Sequence, residues 1–264
     1  VQGRVIFPGA GYLEMARAAA GAALHGVFFL QPLTVESANL LVECAVFDGS
    51  FEVRSGEAEA VETALTVHCS GAMTAGGKLG GASISTDARA LSSMDVGALY
   101  DGFDAIGLQY GPGYRTLAQA WGGVGTALAR LRARSTHEGT QVHPADLDDA
   151  LCTSGAMASS GREGDETRLP FAVDDALLQG APPGELWAVR ALHAPIDHPA
   201  PVALLTDSTM LARLGVQGVA RQGADADAVR LGSLFGQPQA QLDGFKSRAL
   251  RSEASTARHL YLTE

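Results

Sequence analysis

The stretch QVHPADLDDALC, residues 141–152, gathers the side chains best suited to acid–base chemistry. A His-Pro pair precedes a short helical pattern that carries three carboxylates, Asp146, Asp148 and Asp149. Pro144 suits a first helical turn, where its missing N–H would have no intrahelical acceptor in any case. Leu147, Ala150, Leu151 and Ser154 recur at helical spacing and make one buried face. Asp148 borders that face, a costly place for a carboxylate unless it is paired or used. Asp146 and Asp149 read as exposed first-turn acids, and the plainer reading of all three is compensation of the helix dipole.

The elements that must position these residues follow from periodicity. Residues 4–7 are strand-like and pass through Pro8-Gly9 into a helical pattern. Its apolar face is Tyr12, Leu13, Met15, Ala16 and Ala19, with Glu14 and Arg17 outside. Extended segments are expected at 27–30, 33–43, 45–47, 51–54 and 61–73, and a glycine-rich linker at 74–87. A helix capped by Asp95 is expected over 96–103, then strands at 115–121 and 125–134, and the acid-bearing helix at 144–158. A charged loop with Glu163, Asp165 and Glu166 precedes strands starting at LPFAV and at 186–192, 202–205 and 216–221. From 223 to 255 no firm strand stands out. A helix with an antiparallel sheet thus occurs twice, which predicts an α+β fold. Pro8-Gly9 and His143-Pro144 open the two helices, so a site is expected where these N-terminal ends meet. Free N–H groups there can hold a carbonyl oxygen that gains charge, which suits acid–base work on an acyl compound.

Composition narrows the function classes. The chain has 264 residues, 46% hydrophobic and 18% charged, enough for a sizeable core. It holds no apolar run of about 18 residues and no legible signal peptide, so a cytoplasmic location without membrane contact is expected. Its net charge of −10 disfavours nonspecific attraction to nucleic acid or anionic membrane. Arg130, Arg132 and Arg134 alternate, as on the solvated face of one strand. The three cysteines, Cys44, Cys69 and Cys152, lack zinc or disulfide spacing, so reduced thiols and no metal are expected. His25, His68, His193 and His198 show no partner pattern and default to core or solvent. With no initiator Met and a start in mid-strand, the chain reads as a fragment.

Four motifs, in order and spread over most of the chain, carry a family resemblance. VQGRVIFPGAGYLEMARAAA is similar to the tail of HxxxGxxxxP, with Gly3 and Pro8 at the last two fixed positions. LQYGPGYRTL resembles YGPxF, with Tyr110, Gly111, Pro112 and, in place of Phe, Tyr114. VHPADLDDAL is similar to HPxxxDxxxQ through His143, Pro144 and Asp148, and RLPF follows. Together they resemble the dehydratase domains of modular polyketide synthases, and RHLYLTE looks like the seam to the next domain. The resemblance implies a double hotdog, two antiparallel sheets each wrapped on a central helix. Residues 1–75 would be an N-terminally incomplete first half, 76–90 a linker and 91–264 the second half.

The implied reaction is loss of water from a 3-hydroxyacyl thioester on the phosphopantetheine of an acyl carrier protein. It needs no cofactor in the domain itself. Neighbouring synthase domains and a homodimer are the further partners implied. A His would take the C2 proton and Asp148 would protonate the departing hydroxyl, with an apolar tunnel raising its pKa. Tyr110 would shape the site, and the Gly9 N–H would hold the thioester carbonyl. Tyr12, Tyr114 and Phe171 would line the tunnel. Two departures stand out. The motif His would fall two positions before Val1, and Cys152 stands where the family has Gln or His to position the Asp. A thiol is a weak hydrogen-bond partner. These departures motivate one alternative, a non-catalytic dehydratase-like domain; the other keeps the fold but closes a pyran ring or shifts the double bond.

Overall fold

The computed structural model describes residues 1–57, 65–74, 91–157, 167–180, 185–192, 227–232 and 238–250. Helix α1 spans Gly9–Ala20. Pro8 precedes it in extended conformation, and Gly21 ends it in the left-handed region, φ 62°, where its N–H reaches the Arg17 carbonyl. Strands β1 (Ala23–Phe29), β2 (Leu40–Phe47), β3 (Ser50–Glu57) and β4 (Thr66–Thr74) follow. Strand β5 (Ser92–Met94) leads into α2 (Val96–Ala105), where the Asp95 carboxylate accepts from the Ala98 N–H at 2.8 Å as expected of a cap. Next come β6 (Leu117–Gly123), β7 (Thr126–Leu131) and α3 (Pro144–Cys152), which tightens into a 3-10 turn over Thr153–Ala156. Strands β8 (Arg168–Leu178), β9 (Leu186–Leu192), β10 (Asp227–Gly232) and β11 (Pro238–Ala249) complete the order.

All pairings are antiparallel and join in one sheet of order β2-β3-β4-β1-β8-β11-β10-β9-β7-β6-β5. The two expected half-sheets meet edge to edge, β1 against β8, with Leu24 opposite Ala176. Helix α1 packs on β1, β2, β3 and β8, helix α3 on β7, β9 and β10, and the two helices touch each other. Leu13, Leu24, Val27 and Phe51 fill the first half, and Leu131, Leu147 and Leu231 the second, each at most 1% exposed. Burial of each such side chain contributes about 1.5–3 kcal/mol.

Several expectations are corrected. Residues 4–7 make only an isolated bridge, Ile6 to Thr34, because the pairing with 33–35 ends after the Phe7 N–H on the Leu33 carbonyl and the Val35 N–H on the Val5 carbonyl. Ala19 is exposed, and Glu14, placed outside by periodicity, is buried. Its carboxylate binds Arg17 Nη2 at 2.7 Å and accepts the N–H of Gln141 at 2.8 Å and of Val142 at 3.4 Å. Of the three alternating arginines only Arg130 lies in the strand, and it pairs with Glu185 at 2.7 Å. Arg134, beyond the strand, binds the buried Asp146 at 2.7 Å. The region expected to be featureless holds β10 and β11. Arg230 lies fully buried there, its Nη2 on Asp243 at 2.6 Å and its Nη1 on the Leu242 carbonyl at 3.0 Å. His68 is a core residue bonded to Ser55 Oγ at 2.7 Å, and His25 meets Asp175 at 2.5 Å. All three cysteines are free. The linker from 75 onward, the 202–205 and 216–221 strands, Glu163, Asp165, Glu166, His193, His198 and RHLYLTE lie outside the described residues.

Candidate active site

Helix α3 starts where it does because Pro144 holds the preceding residue extended and His143 caps the turn, its Nδ1 accepting the Ala145 N–H at 3.2 Å. That start fixes the rotation of the three acids. Successive helical residues diverge by roughly 100°, so Asp148 and Asp149 face different surroundings. Asp149 turns into the core and accepts from Tyr100 Oη at 2.9 Å, Thr116 Oγ1 at 2.6 Å and the Thr116 N–H at 2.5 Å. Asp146 is 1% exposed against Arg134. Neither is the solvated first-turn acid that the sequence suggests, because Tyr100 on α2, Thr116 just before β6 and Arg134 after β7 bury them.

Asp148 alone of the three lines a cavity of about 1220 Å³. Its carboxyl has no hydrogen-bond partner among the described residues. Burial, and then the neighbouring charge of Asp149, push its pKa up to about 7. Burial also raises Asp149 to about 6, with its three donors pulling the other way. Around Asp148 stand Tyr110 and Tyr114, and across the cavity Pro8, Gly9 and Tyr12. Desolvation raises all three phenols, and Asp148 adds to the effect at Tyr110 and Tyr114. They stay neutral donors.

Cys152 lies one helical turn beyond Asp148, and its thiol donates to Tyr110 Oη at 3.2 Å rather than to the carboxylate. Burial first, then Asp148 and Asp149, hold that thiol well above its usual pKa, so it remains an un-ionised packing group. Gly9 is the first residue of α1, where N–H groups lack intrahelical partners. A Cβ at Gly9 would lie 3.0 Å from Pro170 Cγ, so glycine lets the helix end approach β8. Gly3, at φ 80°, donates to Gln109 Oε1 at 3.2 Å and ties the N-terminal segment to the loop before Tyr110.

Family models match the two halves of the chain in turn. Residues 1–74 match the polyketide synthase dehydratase domain, and residues 81–223 the model described as the polyketide synthase dehydratase N-terminal domain. The chain belongs to the polyketide synthase dehydratases. It is 33% identical over 208 residues to polyketide synthase ThaG of Burkholderia thailandensis, covering 72% of this chain and 4% of that protein. It is 29% identical over 218 residues to polyketide synthase PksM of Bacillus subtilis, covering 71% and 5%. The chain therefore spans only a small part of these curated relatives, which are large multidomain proteins.

Solved dehydratase domains share the fold. The domain from the CurF module of curacin polyketide synthase superposes with a TM-score of 0.71 at 21% identity, covering 95% of this chain and 87% of that one. A trans-AT polyketide synthase dehydratase domain from Brevibacillus brevis gives 0.69 at 24% identity, covering 95% and 88%. The fold is a double hotdog. No helix among the described residues is long and apolar enough to cross a membrane.

Within this dehydratase the motif residues Gly3, Pro8, Gly9, Tyr12, Tyr110, Tyr114 and Asp148 all line one cavity. Phe171 does not. Its ring packs edge-on against Phe28, at 6.4 Å, and beneath Arg248 instead, while Arg168, Leu169 and Pro170 before it line the cavity. Leu169 and Pro170 supply the wall expected of Phe171. Phe29, Gln109, Arg168 and Arg248, none of them at a fixed motif position, also line the cavity. Arg168 stood within RLPF, the only signal available for any of the four outside the LQYGPGY motif that contains Gln109.

Proposed function

We propose that this domain removes water from a 3-hydroxyacyl thioester carried on the phosphopantetheine arm of an acyl carrier protein, giving the α,β-unsaturated thioester. The observation that carries the reading is Asp148, a carboxyl without a protein partner among the described residues, facing the cavity with a pKa of about 7. Such a group holds a proton near neutrality and can release it to a leaving hydroxyl. A base takes the C2 proton, the C2–H electron pair becomes the C2=C3 double bond, and the C3–O bond breaks. The hydroxyl leaves as water with the Asp148 proton. The Gly9 N–H, at the positive end of α1, stabilises the thioester oxygen as charge builds on it. By the motif the base is a His two positions before Val1. Val1 lines the cavity, and two residues span at most about 7 Å, so that position is within reach of the site.

Mass spectrometry of a 3-hydroxyacyl carrier protein, incubated with protein that includes the residues upstream of Val1, tests the reading. Loss of one water is the expected result. No loss across several acyl lengths would assign the domain a structural role. A cyclic product would point to pyran formation.

The pH profile carries a second prediction. Because Asp148 acts in its protonated form, kcat should fall as pH rises through about 7. In Cys152→Gln the amide N–H can donate to the carboxylate, which favours the charged form and lowers the pKa. The alkaline limb should move to lower pH by about one unit. An unmoved limb would mean that residue 152 does not govern the ionisation of Asp148.

A further inference from the structure

Asp148 has no bond of its own to aim it. Its carboxyl finds no hydrogen-bond partner among the described residues, and the thiol one turn on, Cys152, donates to Tyr110 instead. Its direction therefore follows the rotation of α3, a helix of nine residues in which a slip of one position turns every side chain by roughly 100°. The reaction at Asp148 does not use the carboxyl at the next position. Asp149 is fully buried and accepts three hydrogen bonds, from Tyr100 Oη on α2 at 2.9 Å, from Thr116 Oγ1 at 2.6 Å and from the Thr116 N–H at 2.5 Å.

Those anchors belong to the segment that walls the acid. Thr116 closes the loop carrying Tyr110 and Tyr114, both of which line the cavity with Asp148. Asp146 holds the same loop by another route: Arg134 binds Asp146 at 2.7 Å and donates from Nη2 to the Gly113 carbonyl at 3.2 Å. The acid and the two phenols are thus fastened together by the carboxylates two positions before and one position after Asp148. The neighbouring carboxyls also differ in what they can hold. Three donors favour a carboxylate at Asp149, and the Thr116 N–H can do nothing but donate; Asp148, with no donor, is the better place for a proton. Among the described residues Asp149 is the one charge that acts on Asp148. His137 and His143 act on Asp146, Arg134 is committed to Asp146 and Arg190 to Asp227, while Tyr100, Tyr110, Tyr114 and Cys152 stay un-ionised.

We propose that Asp149 is the positioning residue of this site: fastened to Tyr100 and Thr116, it fixes the rotation of α3 that turns the Asp148 carboxyl to the cavity, and it sets a negative charge beside that carboxyl. The proposal rests on Asp148 as the acid of the reaction above. Loss of the charge and loss of the anchors have separate signatures. Asp149→Asn keeps an oxygen for Thr116 but no charge, so Asp148 gives up its proton more readily, and the alkaline limb of kcat should move to lower pH by about half a unit. Thr116→Val with Tyr100→Phe removes two of the three anchors and leaves the carboxylate. There kcat at the optimum should fall about tenfold while KM changes little.

Thermal midpoints give a readout that needs no turnover. The midpoint of the unaltered domain falls relative to that of Asp148→Asn until Asp148 has ionised, and the difference is level at higher pH. In the Asp149→Asn background that levelling should come about half a unit lower. An unmoved levelling point would show that the Asp149 charge does not reach Asp148, and full kcat in the Thr116→Val, Tyr100→Phe protein would show that the anchors do not aim it; either result overturns the proposal. So would a rise in KM matching the loss of kcat, the sign of a collapsed cavity wall. A shifted levelling point in a domain that removes no water, or whose alkaline limb stays in place, would sink Asp148 as the acid of the reaction and leave the effect of the Asp149 charge standing.

Discussion

Replacing Asp148 by Asn should cut kcat for water loss by about 10³-fold while raising the thermal midpoint of the domain above pH 7. The first effect follows from chemistry: the amide matches the carboxyl in shape but is no acid, and a positioned general acid contributes roughly 10²- to 10⁴-fold. The second follows from linkage. The pKa of Asp148 rises from 3.8 to about 7 on folding. Between those values the folded state keeps a proton that the unfolded chain has released. Stability is therefore fully present below about pH 4 and falls as pH rises through about 7. Asn carries no such penalty. At pH 8 the gain is on the order of 2 kcal/mol, less than the whole shift because the carboxyl faces an open cavity; at pH 4 there is none. Thermal scans at the two pH values, beside single-turnover assays, separate the effects. Undiminished kcat would remove Asp148 from the reaction. A lost kcat with a lower midpoint at pH 8 would make its role one of packing.

Helical spacing sets Asp148 beside the apolar face of α3, its role as the acid comes from the motif resemblance, and strand 186–192 matches β9 to the residue. Asp146 and Asp149 were misread because periodicity measures polarity, not partnership. Each looks like a surface acid until Arg134, Thr116 and Tyr100, distant in sequence, bury it. The same reason hid β10. The pattern DAVRLG carries an arginine where a central strand should be apolar, and only the pairing with Asp243 on β11 makes Arg230 tolerable there. Phe171 is placed at the cavity by the motif alone, whereas its ring is taken up by Phe28 and Arg248. Arg168 and Arg248 converge on one cavity through β8–β11 pairing across 79 or more residues of chain, a distance over which no local pattern speaks.

Glu14 shows how much of the site rests on one misread residue. It stands in the middle of α1, yet its carboxylate reaches the segment that leads into α3. Oε1 accepts the Gln141 N–H at 2.8 Å and Oε2 the Val142 N–H at 3.4 Å, while Arg17 donates to Glu14 at 2.7 and 2.9 Å. The two residues before His143 are thus pinned to the helix that begins at Gly9. In Glu14→Ala both backbone donors lose their acceptor and Arg17, largely buried, loses its counter-charge. Removing one partner of such a pair costs about 3–5 kcal/mol. The denaturation midpoint should fall accordingly with an unchanged m-value. Glu14→Gln keeps a carbonyl acceptor for one N–H and should lose about half as much. Among molecules still folded, kcat should drop about tenfold in Glu14→Ala, because the His-Pro turn, and Asp148 with it, shifts away from the α1 end. Substrate KM should change little. A stability loss with kcat intact would show that α3 is held by its apolar face alone, with the Glu14 bridge adding only to the fold.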